Sequence, residues 1–181
     1  MIMKKLFSLL LVSAALFSCG LGDTMETVVV GDRYSISIPS FLTKTNALND
    51  EASLQYQNTF KGFYVIVIDE SIEEMHEALY DNDLTDEYSA DIDGYSKVVL
   101  TGFLEALNIT DTSDIMEAQI GGMPARTVSM TGLVSGLDVF YDVAFVQGSE
   151  SYYQILTWTL AGSEKKYKSK MDEIINSLRE L

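Results

Sequence analysis

Three kinds of residue in this chain could do chemistry, and two of them occur once. Cys19 is the only cysteine, His76 the only histidine, and 27 carboxylates form the third set. A Ser-His-acid relay needs an imidazole to take the serine proton. His76 sits between Met75 and Glu77 in a charged stretch, where an exposed or rim position is expected. No Gly-x-Ser-x-Gly elbow accompanies it. Transition metals want clustered Cys and His ligands, which one histidine and one remote thiol do not supply. Hard cations have more to work with, because Asp81-Asn82-Asp83, Asp86-Glu87 and Asp91-Ile92-Asp93-Gly94 bring oxygen ligands close together. None of these completes an EF-hand: Tyr95 fills the ligand position after Asp93, and Ile92 stands where a loop begun at Asp81 needs its bidentate glutamate. Helix capping and solvation account for the acids without an ion, so no metal and no other cofactor is expected. Paired carboxylates could serve a small hydrolase, yet among so many acids nothing selects one pair. Gly121-Gly122 lacks the Lys and Ser/Thr of a phosphate loop and reads as a tight strand connection.

Cys19 takes its meaning from what precedes it. Lys4 and Lys5 charge the first residues, and Leu6 to Phe17 is a twelve-residue apolar run broken only by Ser8 and Ser13. Secretory apolar regions run to roughly 7–15 residues, whereas a spanning helix needs about 20. A removable leader over 1–18 is therefore expected. The run Leu16-Phe17-Ser18-Cys19 resembles the lipobox of bacterial lipoproteins, although Phe17 stands where that pattern more often has a small residue. The resemblance implies cleavage before Cys19, a diacylglyceryl group on its thiol, and several acyl chains holding the mature 163 residues at a membrane. One chain alone binds marginally, while two or more give durable attachment. The implied location is the bacterial cell envelope, on the periplasmic or cell-surface side of a membrane. With no second cysteine, the domain must stand on its core without disulfides.

The formal net charge is −15, and −17 once Lys4 and Lys5 leave with the leader. Such a surface repels nucleic acid and anionic headgroups at long range, so nucleic-acid binding and polybasic docking are not expected. Eleven carboxylates fall between Asp69 and Asp93, with His76 the one group there able to become positive. A partner at that face would be cationic or a metal, but a solvated face that keeps the protein soluble is the better explanation of the acids.

Elements can be placed by periodicity. After a polar tether over 19–26, Thr27–Val30 and Arg33–Ile38 read as strands joined by Gly31-Asp32, with a type II′ turn expected. Leu54–Gln57 is a third strand, and Phe63–Ile68, apolar on both faces, a central one. Ser71 followed by Glu74 makes a capping box for a helix bearing Ile72, Met75 and Leu79. A second helix over 94–107 carries a wide apolar stripe and should be well buried. Asp111–Asp114 is turn-like. Strands are expected over 115–120, 125–133, 137–147 and 152–160, with turns at 121–124, 134–136 and 148–151. Most of the aromatics Phe140, Tyr141, Phe145, Tyr152, Tyr153 and Trp158 should alternate between core and surface of the sheet. Ser163 is expected to cap a final helix striped by Tyr167, Met171, Ile174, Ile175, Leu178 and Leu181. No repeat or linker divides residues 27–181, so one domain is expected.

This order, with the segments YSISIP, GGMPAR and IINSL, the aromatic strand Tyr152-Tyr153-Gln154-Ile155 and the turn Gly122-Met123-Pro124-Ala125, resembles the PsbP-like fold. That fold is shared by the extrinsic PsbP protein of photosystem II and the bacterial DcrB-type lipoproteins. The resemblance implies an α+β domain, an antiparallel β-sheet packed between helices as an α/β/α sandwich. It also implies a protein that binds or assists larger assemblies rather than an enzyme. The expectation is a lipid-anchored, extracytoplasmic binding or scaffolding module, attached through Cys19, whose partner is an envelope protein or a cationic ligand. The alternative is a small carboxylate-based hydrolase or ligand-binding enzyme.

Overall fold

The computed structural model describes residues 24–181, so the leader expected over 1–18 and Cys19 lie outside the described residues. In chain order the elements are β1 (Met25–Val30), β2 (Tyr34–Pro39), β3 (Thr43–Lys44), β4 (Leu54–Asn58), β5 (Phe63–Ser71), α1 (Ile72–Asp81), α2 (Ile92–Ala106), β6 (Ile109–Thr112), β7 (Met116–Ile120), β8 (Met123–Val134), β9 (Leu137–Gln147), β10 (Ser151–Leu160), a 3₁₀ turn (Ala161–Ser163), α3 (Glu164–Ile175) and β11 (Arg179–Glu180). Eight strands form one antiparallel sheet, ordered β3-β4-β5-β10-β9-β8-β6, with β7 beside β6 on the outer edge of β8. A second sheet, β1-β2-β11, lies over one face together with α3, while α1 and α2 cover the other.

Burial follows from these layers. Strand residues alternate between faces, so a strand covered on both sides buries successive side chains in opposite layers. In β9 every residue from Val139 to Val146 is buried, and in β10 every residue from Tyr152 to Thr157. Strand β5 is central, as its two-faced apolar run implies. Phe63, Val65, Val67, Phe140, Ala144, Tyr153 and Ile155 pack against β2 and α3. Ile66, Ile68, Tyr141, Val143, Phe145, Tyr152 and Leu156 pack under the α1–α2 layer. Each such side chain contributes about 1.5–3 kcal/mol through burial.

Local differences from the sequence reading have physical causes. The β1–β2 turn has φ of 49° at Gly31 and 53° at Asp32, so it is of the I′ kind rather than II′, the two positive angles matching strand twist. Asp111 and Thr112, expected within a turn over 111–114, instead end β6, held by pairing of Asp111 with Thr131 and Thr112 with Met130 after a register shift. Strand β3 was not anticipated, having only two residues. Helix α2 is less buried than its composition implies. Burial is complete only around Ile92, Tyr95 and Ser96, and Leu104 remains 44% exposed.

Helix α3 stops at Ile175, six residues before its apolar stripe would end. Leu178 is still fully buried, but Arg179 and Glu180 turn back to pair with Ser35 and Tyr34 of β2, and Leu181 is exposed. The Glu180 carboxylate accepts from the Ser149 amide (3.0 and 2.9 Å) and from the Tyr153 hydroxyl (3.0 Å), which favours the strand over another helical turn. Ser71 caps α1 through the Glu74 amide (3.3 Å), as expected. Ser163 precedes α3 but makes no side-chain cap bond. Among the described residues no helix is long and apolar enough to cross a membrane.

Candidate ligand-binding cleft

Four carboxylates of the acidic segment, Asp69, Glu70, Asp91 and Asp93, are committed to structure. Asp69 pairs with Arg33, and Asp93 accepts from Arg126 Nε at 2.6 Å. Asp91 Oδ1 takes the Ser89 hydroxyl (2.6 Å) and the Asp93 and Gly94 amides (3.0 Å each), capping α2. The Ser89 hydroxyl, followed by the Gly94 amide, holds the Asp91 carboxyl below the usual range. Glu70 Oε2 accepts from the Tyr95 hydroxyl (2.5 Å) and from Gln154 Nε2 (2.8 Å). Burial, reinforced by the Glu70 charge, pushes the Tyr95 phenol far up. Among the described residues no three His, Cys, Asp or Glu side chains come together as a metal would need. Tyr95 itself, read in the sequence as an interruption of a calcium loop, is a buried hub stacked on Tyr152 with 4.0 Å between ring centroids.

His76 is half-buried on α1, with Nε2 3.4 Å from the Tyr152 hydroxyl. Among the described residues its side-chain partner is that tyrosine and not a serine. The strand aromatics are core residues, except Trp158, which is partly buried and stacked on Tyr64 at 5.1 Å. Gly121-Gly122 forms the two-residue β7–β8 turn, and a side chain on Gly121 would meet the Leu178 carbonyl oxygen at 2.6 Å.

What the sequence reading missed is a charged cleft of about 290 Å³ between α3 and the outer edge of the main sheet. The gap between β6 and β7 creates it. There the Ser129 carbonyl and amide of β8 bond to the Ser113 amide (2.9 Å) and hydroxyl (3.1 Å) instead of to a strand partner. Asp142 of β9 projects toward α3, its side chain 7% exposed. Lys168 Nζ donates to Asp142 Oδ2 at 2.9 Å and to Asp172 Oδ1 at 2.5 Å, and the Ser129 hydroxyl donates to Asp142 Oδ1 at 3.1 Å. Burial pushes the Asp142 carboxyl up, and the Lys168 and Ser129 bonds only partly offset it. For Lys168 burial acts downward, but the bonds to Asp172 and Asp142 prevail and its pKa is raised. Met116, Ile175 and Asn176 complete the lining. The signal was present in the sequence: Asp142 is a lone charge inside the apolar strand 139–146, and Lys168 and Asp172 lie one helical turn apart.

Chemically, this is an ion triplet with a hydrogen-bonding rim. Its volume lies at the small end of ligand pockets and suits a side chain or a short polar ligand.

With this geometry described, comparison with known proteins gives a consistent picture at the level of fold. The architecture is that of the PsbP-like proteins. The solution structure of cyanobacterial PsbP (CyanoP) from Synechocystis sp. PCC 6803 aligns with a TM-score of 0.56 at 13% identity, covering 90% of this chain and 96% of that one. The crystal structure of LpqN, involved in cell envelope biogenesis of Mycobacterium tuberculosis, aligns with a TM-score of 0.54 at 13% identity, covering 87% and 90%. No family model and no curated protein matches the sequence. Likeness at such identity concerns fold and carries no site residue across.

Proposed function

We propose that this chain is a lipid-anchored, extracytoplasmic module of the bacterial cell envelope that binds or scaffolds another envelope component without catalysing a reaction. The observation that carries the reading is the Leu16-Phe17-Ser18-Cys19 run standing directly before a PsbP-like body. Support comes from LpqN, a protein of the same fold involved in cell envelope biogenesis. The α3 cleft supplies a seat for one or two side chains of a protein partner, with Asp172 and Asn176 on α3 and Ser113 on the opposite wall. The enzyme alternative needs two carboxyls free to share a proton or to flank a water. Asp142 has the burial for such a role, but Lys168 grips both it and Asp172, which makes the group an electrostatic tie.

In the native host, the wild-type chain should take up a clickable fatty-acid label and sediment with membranes, while Cys19→Ser should do neither. A photocrosslinking residue in place of Met116 should then give one reproducible envelope adduct. An unlabelled, freely soluble wild type would overturn the anchoring. Absence of any adduct across growth conditions would overturn the binding role of the cleft.

A further inference from the structure

The strand register shows that the domain has two unlike ends. Phe63 pairs with Thr159, Leu160 with Val139, Gly132 with Val139, and Val134 with Leu137. The β4–β5 turn, the end of β10 and the β8–β9 hairpin therefore emerge side by side at one end of the main sheet. That end carries exposed apolar side chains: Phe60 at 103%, Leu137 at 58%, Val134 at 46% and Leu160 at 42%. Tyr64 and the partly buried Trp158 stack one residue further in.

The chain also enters here. The Ser40 amide bonds the Thr24 carbonyl at 2.8 Å, and the adjacent Phe41 packs against Phe63 with ring centroids 5.8 Å apart. Lys61, whose Nζ lies 4.3 Å from the Phe41 ring centroid, and the exposed Lys165 and Lys166 of the first turn of α3 lie at this end. They are balanced by Glu26, Glu105, Asp138 and Glu164, which makes this end near neutral in a chain of charge −15. The acidic segment begins and finishes at the other end, where Asp69 pairs with Tyr153 beside the 148–150 turn and Asp93 holds Arg126.

We infer that the end bearing Phe60, Leu160, Leu137 and Val134 rests in the headgroup region of the membrane that holds Cys19, with the acidic end pointing away. This rests on the anchoring proposed above. Five residue steps separate Cys19 from Thr24, and an extended chain covers at most about 18 Å in that distance, so the end where Thr24 emerges cannot stand far from the acyl junction. Apolar and aromatic side chains flanked by lysines suit the interface between headgroup and hydrocarbon. The overall negative charge gives no long-range attraction, and none is required, because the tether supplies proximity. At that end three lysines stand against four carboxylates, so little net charge remains to be repelled.

The test uses the full chain as isolated with its anchor, reconstituted into vesicles of phosphatidylethanolamine and phosphatidylglycerol carrying brominated acyl chains. Phe60→Trp and Tyr80→Trp are compared with the wild type, whose Trp158 gives the background. Both positions are strongly exposed, at 103% and 75%, so neither substitution disturbs the core. The inference expects the Phe60→Trp emission to shift blue and lose most of its intensity to bromine, and the Tyr80→Trp emission to do neither. Equal, unquenched emission from both variants on a chain whose mass shows acylated Cys19 overturns the docking and leaves the anchor standing. An unacylated chain that stays off the vesicles overturns both. A blue shift without quenching, together with dimers in sedimentation, means that a second copy covers this end and also overturns the inference.

Discussion

Replacing Lys168 with Met should expose the electrostatics of the α3 cleft. Asp142 is 7% exposed at its side chain, and among the described residues Lys168 is its only cationic partner, with the Ser129 hydroxyl as the remaining bond. Breaking a fully buried pair costs about 3–5 kcal/mol, and an exposed pair contributes roughly 0.2–1 kcal/mol. Lys168 is 37% exposed, so water replaces part of what it supplied and the expected loss at neutral pH is about 2 kcal/mol. For a domain of this size that lowers Tm by roughly 4–8 °C. The penalty must depend on pH. The Asp142 carboxyl already has a raised folded-state pKa, so its contribution favours acid: it is fully present below the unfolded value of about 3.9 and is lost as pH rises through the folded value. Without Lys168 the raised value climbs further. The variant should therefore match wild type near pH 4 and fall behind as Asp142 ionises. Circular-dichroism melts at several pH values measure this directly. Adding Asp142→Asn should restore most of the neutral-pH stability, since no charge is then left buried. A deficit equal at all pH values, or one that Asp142→Asn does not relieve, would refute the argument and reduce Lys168 to a packing residue.

Two further outcomes follow from the geometry. Gly121→Ala should destabilise by about 2–4 kcal/mol in urea titrations, because φ is 61° and the new carbon meets the Leu178 carbonyl, while Gly122→Ala, at φ 84° in open space, should cost only about 1 kcal/mol; equal losses would contradict the close approach. Burial raises Tyr34 and Tyr153 to about 12 and lifts Tyr95, Tyr141 and Tyr152 as well, so the stability these phenols lend is intact below about pH 10 and is lost as pH rises toward 12. Absorbance at 295 nm should then show two phases among the ten tyrosines, the later one coinciding with loss of the far-ultraviolet signal; a single phase near the ordinary value would be the wrong result.

Much of the fold was legible because its signals are local. Alternation in Tyr34-Ser35-Ile36-Ser37-Ile38, the two-faced apolar run at Phe63–Ile68 and the Ser71–Glu74 cap each specify an element without reference to distant chain. Where the reading failed, distant chain decided. Ile109–Thr112 is polar and short, and it becomes a strand because β8 offers a free edge. The helical stripe running on to Leu181 is genuine, yet β2 and the Ser149–Tyr153 acceptor site for Glu180 draw the last residues into a strand. Ser163 has the residue type of a cap and the wrong backbone geometry for it.

The candidate site was hidden for the same reason. Asp142, Lys168 and Ser129 are separated by 13 to 39 positions along the chain, and only the packing of α3 over β9 joins them. Conversely, of the acids that stood out in sequence, Asp91 is occupied with a helix cap and Asp93 with an arginine. The proposal for Cys19 rests on the neighbouring Leu16-Phe17-Ser18 alone and draws nothing from the folded domain.

The account stands or falls on the chemistry at that cysteine. Intact-mass spectrometry of the protein extracted with detergent from its native host should show a chain of residues 19–181 heavier than its peptide mass by a diacylglyceryl group and any further acyl chain. A mass equal to the unmodified peptide, or to the full chain of 181 residues with its leader in place, would contradict it.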